Sequence, residues 1–309
     1  LGFPQDHMEF AYSNGSDALA LTDHGNMNGL SYQVLHAKKM KAEGKDFKPI
    51  FGCEAYFIPS IEEWKDEYEQ AMQDKKKARE AKKAGASAAS VEDEGASKGK
   101  SSNVLRRRRH LVLLAQNQTG LNNLFKLVSE SYKDENFYRY PRMDYKMLKE
   151  HSEGIIASSA CLGGVYAGNY WENREEGPDA VLEAMRDTTR KMVDVFGDRW
   201  HGEIQWNNVP EQHELNKFVI QVCEEFGVKV ISTADSHYPN RDAWKDRELY
   251  KRLGWLGKGR PQWADTESEL PVSVDEIGYE LYPKNGDEMW ESYKKYSADC
   301  GAEYDDDLV

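Results

Sequence analysis

Several patterns that mark large protein classes are missing from this chain. No apolar run approaches the ~20 residues needed to span a bilayer, and the four cysteines are widely spaced, without a CxxC pair. There is no GxGxxG or Walker loop, and no serine with evident His and Asp partners. We therefore expect no membrane contact, no zinc ribbon and no secreted disulfide framework, and a location in the reducing cytoplasm.

Positive charge is also in short supply. The 309 residues include 54 Asp and Glu but only 41 Lys and Arg, which gives a net charge of −13. Such a chain has no general attraction for nucleic acid, although a bound divalent ion would supply local positive charge for a phosphate group. The chain also starts at Leu1 without a methionine, and we expect it to be a piece of a longer protein.

What the sequence does contain is an alternation of short apolar runs with helical patterns. Strands are predicted at residues 18–21, 49–58, 111–114, 154–157, 204–206 and 228–231, and helices at 5–14, 30–43, 121–132, 179–196, 215–226 and 286–296. This alternation predicts an α/β fold with a mostly parallel sheet, and a closed barrel suits several functional strand ends better than an open sheet. We assign residues 1–59 and 110–250 to the barrel, and 251–309 to its C-terminal end and the start of a linker.

Residues 60–109 interrupt this alternation, and we interpret them as a low-complexity insertion between two barrel strands. Their Glu/Lys-rich beginning could form an exposed helix held by charge pairs, whereas residues 84–102 have few apolar side chains to bury and are expected to be disordered. The insertion ends in four consecutive arginines, 106–109. These either contact a phosphate backbone or are simply the solvated end of a loop.

Side chains that bind transition metals stand at the ends of the predicted strands. Four sites lie toward the C-terminal end of a predicted strand and one lies at the head of a strand. The first four carry His24, Glu54, Cys161 and the pair Asp235 and His237, and the fifth carries His110. Strand ends on one side of a βα fold converge on the ligand site, so we expect a multinuclear metal centre. The mixed donor set favours Zn²⁺ or Mn²⁺, with Mg²⁺ possible, and the chemistry it supports is hydrolysis of a phosphoester by a metal-activated water.

Each donor taken alone also has a structural interpretation. A single histidine is more often a packing or surface residue than a ligand, Cys161 could be a small buried hydrophobe, and Asp23 could cap the following helix. The shared position at strand ends favours the metal site over these alternatives. The remaining histidines and cysteines are interpreted as structural or solvated; they are His7, His36, His151, His201, His213, Cys53, Cys223 and Cys300.

A family resemblance rests on several motifs in the same order along residues 1–250, apart from the insertion. The motifs are Ala18–Asn26, Pro49–Tyr56, His110–Ala115, Tyr140–Asp144, His151–Ile156, Ala160–Gly164 and Thr233–Tyr238. They resemble the PHP domain of bacterial DNA polymerase III alpha subunits. The resemblance implies a distorted (β/α)7 barrel holding two to three Zn²⁺ or Mn²⁺ ions, with the six donors above as ligands and Arg142 near the substrate phosphate.

The chain departs from this family in two ways. The family begins with a strand carrying His-x-His, followed by an Asp and a Gly, and this chain starts after that point, so three of the usual nine ligands are absent. The six that remain need not suffice to hold the metals. The long insertion is the second departure; it is unusual for cellular enzymes and would suit a phage-borne polymerase.

Three functions are compatible with these observations. The first is a PHP domain of a replicative polymerase, which would act on DNA as a metal-dependent phosphoesterase or 3′–5′ exonuclease. The second is a non-catalytic PHP module that supports the rest of the alpha subunit or binds a proofreading subunit. The third is a free-standing PHP phosphatase, which the polymerase-like motifs make the least favoured.

Overall fold

The computed structural model describes residues 1–83, 104, 107–256, 273 and 276–305. The disorder expected for residues 84–102 and the first of the four arginines, Arg106, lie outside the described residues. The described chain is organised around one sheet with helices packed on it. This confirms the expected α/β class.

The sheet contains eight strands. They are β1 (Ala18–Leu21), β2 (Lys48–Phe57), β3 (Arg109–Ala115), β4 (Phe137–Tyr138), β5 (Tyr140–Met143), β6 (Ile155–Ser158), β7 (Trp200–Gln205) and β8 (Lys229–Thr233). The order across the sheet is β4-β5-β2-β3-β6-β7-β8, with β1 paired to the first half of β2. Within the described residues these pairings form an open path from β4 to β8, as in a curled half-barrel.

Helices connect the strands and cover the sheet. They are α1 (Pro4–Ser13), α2 (Leu30–Ala42), α3 (Ile61–Lys83), α4 (Gln118–Ser131), α5 (Tyr145–His151), α6 (Val165–Asn173), α7 (Pro178–Phe196), α8 (Pro210–Phe226), α9 (Trp244–Leu256) and α10 (Gly286–Asp299). None of these described helices combines the length and the apolar character that a membrane span requires.

One long strand runs against its neighbours. β3 pairs antiparallel with β2 on one side and antiparallel with β6 on the other, whereas β6, β7 and β8 are parallel to one another. The expectation of a mostly parallel sheet therefore needs a correction at β3. Because β3 is reversed, its first residues lie at the edge where β6 ends. His110, at the head of its strand, thus reaches the same edge as donors that follow theirs.

The beginning of the expected insertion is part of the core. Ile61 and Trp64 in the first turns of α3 are 5% and 4% exposed, and both belong to the main hydrophobic cluster with β2 and β3. The indole nitrogen of Trp64 donates to the carbonyl oxygen of Val104 at 2.9 Å. The sequence predicts an exposed helix here. That prediction is wrong for the first turns, because two apolar residues among the many charged ones pack into the core. The division of the chain at residue 60 stays a prediction.

We expect Trp64→Ala to lower the free energy of unfolding by about 3–5 kcal/mol, since it empties a buried aromatic site. The matched control is Met72→Ala on the same helix, where the side chain is 39% exposed and the loss should stay within about 0.5 kcal/mol. Urea unfolding followed by circular dichroism measures both. Equal, small losses in the two variants would mean that α3 does not belong to the core.

Candidate metal centre

Three of the predicted donors converge at the edge of the sheet. One ligand atom each from His24, Glu54 and His110 lies within 4.8 Å of the other two. Nδ1 of His110 is 2.7 Å from Oε1 of Glu54, and Nδ1 of His24 is 3.6 Å from Oε2 of the same carboxylate. We call these three residues the triad. Glu54 is 5% exposed, while the side chain of His24 is 42% exposed, so the triad opens to solvent on the His24 side.

Backbone contacts fix the triad in place. His24 follows β1 and forms an isolated parallel bridge with Glu54, and the next amide, that of Gly25, donates to the Glu54 carbonyl oxygen at 2.8 Å. The His110 amide donates to the carbonyl oxygen of Gly163 at 2.8 Å. β1, β2, β3 and the loop after β6 therefore all contribute to one site.

Cys161 joins the triad from the loop after β6. Its Sγ lies 3.5 Å from Nδ1 of His110 and accepts a hydrogen bond from the Gly163 amide at 3.4 Å. Ala160, just before it, has a φ of +60°, a backbone conformation that is costly for a residue other than glycine. The backbone is thus strained at Ala160, directly before the residue whose thiol contacts His110.

Asp235 and His237 approach the triad from the loop after β8. The ring of His237 lies 6.1 Å from the ring of His24, and its Nδ1 lies 3.7 Å from Oδ1 of Asp235. Asp235 has a φ of +47°, the second strained backbone at a candidate ligand. The structure therefore brings all six predicted donors into one neighbourhood, with three of them in close contact.

The pKa values of the site residues are shifted by burial and by neighbouring charges. Burial by itself would raise the pKa of Glu54, but the close nitrogen of His110 and the charge of His24 hold that pKa below its ordinary value. Burial lowers the pKa of His24 despite the neighbouring carboxylate. Burial raises the pKa of Asp235, and burial followed by the charges of Asp235 and Glu54 raises the pKa of the Cys161 thiol.

The donor set fits a divalent cation. Oε1 of Glu54 is buried and makes no hydrogen bond of good geometry, although Nδ1 of His110 is 2.7 Å away. Two atoms with lone pairs this close repel unless a proton or a cation lies between them. Donors to one ion at about 2.0–2.2 Å each can be at most about 4.4 Å apart, so the triad needs only small side-chain adjustments to share an ion. Imidazole, carboxylate and thiol together are a donor set that suits zinc-class metals.

Comparison with known proteins adds the family. The model of the PHP domain family matches residues 2–207. The chain belongs to the PHP domain family. Its relatives include the DNA polymerase III subunit alpha of Aquifex aeolicus, 35% identical over 226 residues, which are 73% of this chain and 16% of the relative.

Two further relatives carry the same description. The chain is 32% identical to the DNA polymerase III subunit alpha of Deinococcus radiodurans over 272 residues, which cover 88% of the chain and 16% of the relative. The corresponding protein of Helicobacter pylori is 33% identical over 279 residues, covering 89% of the chain and 19% of the relative. The chain thus spans less than a fifth of each of these relatives.

Two solved structures are similar at a TM-score of 0.40. One is described as a metal-dependent phosphoesterase from Bifidobacterium adolescentis, at 10% identity and covering 77% of this chain and 84% of that one. The other is an amidohydrolase from Chromobacterium violaceum, at 13% identity and covering 78% and 84%.

In this PHP domain, Arg142 does not occupy the expected place beside a substrate phosphate. Its side chain is 0% exposed, and its guanidinium donates to the carbonyl oxygens of Arg107, Tyr138 and Tyr140 at 3.1, 2.9 and 3.1 Å. It also stacks on Trp64, with 4.2 Å from the guanidinium carbon to the ring centroid. The expectation of a phosphate contact is therefore corrected: Arg142 ties backbone segments together from inside the protein.

Asp23, a possible helix cap in the sequence, forms a hydrogen bond to the segment that precedes α2. Its Oδ2 accepts a hydrogen bond from the amide of Gly29 at 2.9 Å, immediately before α2. Among the other histidines, His36 contacts Glu9, and His213 lies between Asn207 and Tyr304, as expected of structural residues.

The three remaining cysteines are not grouped with the triad. Cys53 and Cys223 are fully buried, and Cys300 donates to the side chain of Asn208 at 3.2 Å. These positions agree with packing roles.

Two residues near the site escaped the sequence analysis. Glu203 on β7 is buried and accepts hydrogen bonds from the hydroxyls of Ser158 and Thr233 at 2.5 and 2.6 Å. Burial raises the pKa of Glu203, helped by the charge of Asp235. Tyr56 on β2 stacks on His24 with 6.0 Å between ring centroids. In the sequence, Glu203 could have been found as a carboxylate directly before the predicted strand 204–206. Tyr56 could have been found from its two-residue spacing from Glu54, which places both on one face of a strand.

The corrected role of Arg142 predicts a loss of stability on substitution. Arg142→Met leaves three carbonyl oxygens without this donor, and we expect the free energy of unfolding to fall by about 2–4 kcal/mol. Arg139→Met, at an exposed arginine in the same segment, should change it by less than about 0.5 kcal/mol. Urea unfolding compares the two. An Arg142→Met variant that is fully stable but binds phosphate poorly would instead support a contact between Arg142 and the substrate phosphate.

Proposed function

We propose that this PHP domain belongs to a bacterial-type DNA polymerase III alpha subunit and hydrolyses phosphodiester bonds at the 3′ ends of DNA. The observation that carries the proposal is the triad, in which a buried carboxylate and two imidazoles meet at the open edge of the sheet. The kinship with several alpha subunits supports DNA as the substrate and the rest of the alpha subunit as the partner.

The roles of the chain's own residues follow from their positions. His24, Glu54 and His110 would hold one divalent ion, while Cys161, Asp235 and His237 would complete the binding of that ion or of further ones. A bound Zn²⁺ or Mn²⁺ supplies Lewis acidity, which lowers the pKa of a water and offsets the charge of a phosphate. The exposed side of His24 gives the substrate access to the triad. The close nitrogen of His110 and the charge of His24 keep the buried Glu54 carboxylate charged.

A second candidate function is a non-catalytic module that supports the polymerase or binds a proofreading subunit. α9 favours it, because Leu249, Tyr250 and Leu253 on this helix are 48%, 65% and 61% exposed. Apolar side chains clustered on one helix at the surface commonly mark a contact with another protein. This function and hydrolysis can coexist in one domain. A free-standing phosphatase has no observation of its own in favour of it.

Metal binding gives the first test. After incubation with Zn²⁺ or Mn²⁺ and desalting, we expect mass spectrometry to find at least one ion per chain, and Glu54→Gln to weaken binding more than about 100-fold. His151→Asn at the end of α5 is the matched control and should bind like the wild type. Equal metal content in Glu54→Gln and the wild type would mean that the triad does not bind the metal.

Hydrolysis gives the second test. With the metal that binds, we expect the chain to shorten a 5′-labelled single strand from its 3′ end, and Glu54→Ala and His237→Ala to lose this activity while remaining folded. Wild-type rates in both variants would contradict the proposal. A chain that binds metal but leaves DNA and small phosphate esters intact would favour the structural module. Cleavage of a small ester alone would favour the phosphatase.

A further inference from the structure

The consecutive arginines at the start of β3 have different surroundings. Arg107 makes a bidentate pair with Glu67, at 3.0 and 2.8 Å, and Arg109 is paired with Glu172. Arg108, between them, stacks on aromatic rings. Its guanidinium carbon lies 3.9 Å from the ring centroid of Tyr140 and 5.4 Å from that of Tyr56. The guanidinium of Arg108 thus lies on two aromatic rings.

The rings under Arg108 lead directly to the triad. Tyr56 lies 5.1 Å from Tyr140 between ring centroids, 5.6 Å from His110 and 6.0 Å from His24, with its plane only 6° from that of His24. Arg108 is therefore one aromatic ring away from the triad. A phosphate at the triad would be too far for Arg108 to share it closely, but the neighbouring phosphate of the same strand would come within reach.

The surrounding structure is built to keep this arrangement. Arg142 donates to the carbonyl oxygens of Arg107 and Tyr140, the residues that carry or adjoin the stacked pair. Gly25 leaves room for the rings, because a Cβ there would lie 2.9 Å from both Tyr56 and Pro141. The buried arginine and the glycine thus position Arg108 and Tyr56 beside the triad.

The chemistry of Arg108 suits a phosphodiester backbone. A guanidinium stacked on a ring face keeps its donors in its own plane, where they match the oxygens of a phosphate. The chain as a whole has a net charge of −13, so a strand would be attracted only where positive charge is concentrated.

We propose that Arg108, seated on Tyr140 and Tyr56, binds the phosphate next to the one at the triad along a single DNA strand. This inference rests on the proposed function, from which DNA is taken as the ligand. It adds a subsite that favours a polynucleotide over a small phosphate ester. Arg108 is the residue that contacts the strand. Tyr56, Tyr140 and Arg142 are positioning residues.

Binding without catalysis tests the subsite. The probe is a fluorescein-labelled oligo(dT) of about twelve nucleotides, titrated with the 309-residue chain in a chelator and followed by anisotropy over a range of salt concentrations. For a single strand, each phosphate that the protein neutralises contributes about 0.7 to the steepness of log K against log salt. We expect Arg108→Ala to bind several-fold more weakly at low salt, with a salt dependence that is shallower by about 0.7.

Three matched variants sharpen the result. Arg107→Ala removes an adjacent arginine that is paired with Glu67, and it should bind like the wild type. Arg108→Lys keeps the charge and should retain the slope with weaker binding. Tyr140→Leu removes the ring under Arg108 and should weaken binding, whereas Tyr140→Phe should not.

Several outcomes would overturn the subsite. They are an unchanged slope in Arg108→Ala, an equally weakened Arg107→Ala, or no binding of the strand by the wild type. Displacement of the strand by inorganic phosphate as effectively as by unlabelled strand at the same ionic strength would mean a lone anion site. The binding assay is independent of hydrolysis. If Arg108→Ala binds weakly and the wild type cleaves no DNA, the subsite is supported and the nuclease activity is contradicted. If the wild type cleaves DNA and Arg108→Ala binds normally, the nuclease activity is supported and the subsite is contradicted.

Discussion

Hydrogen bonds between β3 and both of its neighbours hold the sheet and the candidate site together. Six register pairs join β3 to β2 and four join it to β6, all antiparallel. This reversal brings the start of β3 to the edge where β6 ends, so His110 meets Glu54 and Cys161 there. A strand inserted in the other direction would carry His110 to the opposite edge of the sheet, and the triad would lose its second imidazole.

The buried charges of Arg142 and Glu54 have different surroundings. Arg142 is completely buried but gives its donors to three carbonyl oxygens and its face to Trp64, so its desolvation is offset by hydrogen bonds and stacking. Glu54 is almost as buried, yet its neighbours are other groups with lone pairs. The first arrangement is stable by itself and serves the fold. The second becomes favourable when a cation or proton is shared, which is typical of a binding site.

The strained backbone falls at the site as well. Ala160 and Asp235 adopt positive φ values in the two loops that bring Cys161 and Asp235 toward the triad. Outside the site, Arg139 also has a φ of +60°, and further positive φ values occur at glycines, including Gly44, Gly154 and Gly227, where the conformation has little cost. Strain at side-chain-bearing residues is retained where the rest of the structure enforces it, and here it serves to aim two ligands.

The sequence by itself determined most of the long helices and the candidate ligands, because both are local, although it did not predict α9. Periodic apolar residues predicted β1, α2 and α7 closely, and His24, Glu54 and His110 were named from their places next to such runs. The short elements α5 and α6 were missed, since seven to nine residues carry little periodicity. Local pattern also failed for the first turns of α3, where two apolar anchors were hidden among charges.

Only the tertiary structure decided the direction of β3 and the roles of the arginines. Strand direction depends on hydrogen bonds to partners forty or more residues away along the chain, which no local pattern encodes. Arg108 and Arg142 are chemically identical in the sequence, but one is stacked beside the triad and the other is buried under Trp64. The role of a charged side chain is set by its solvent exposure and its neighbours, and these exist only once distant segments have packed together.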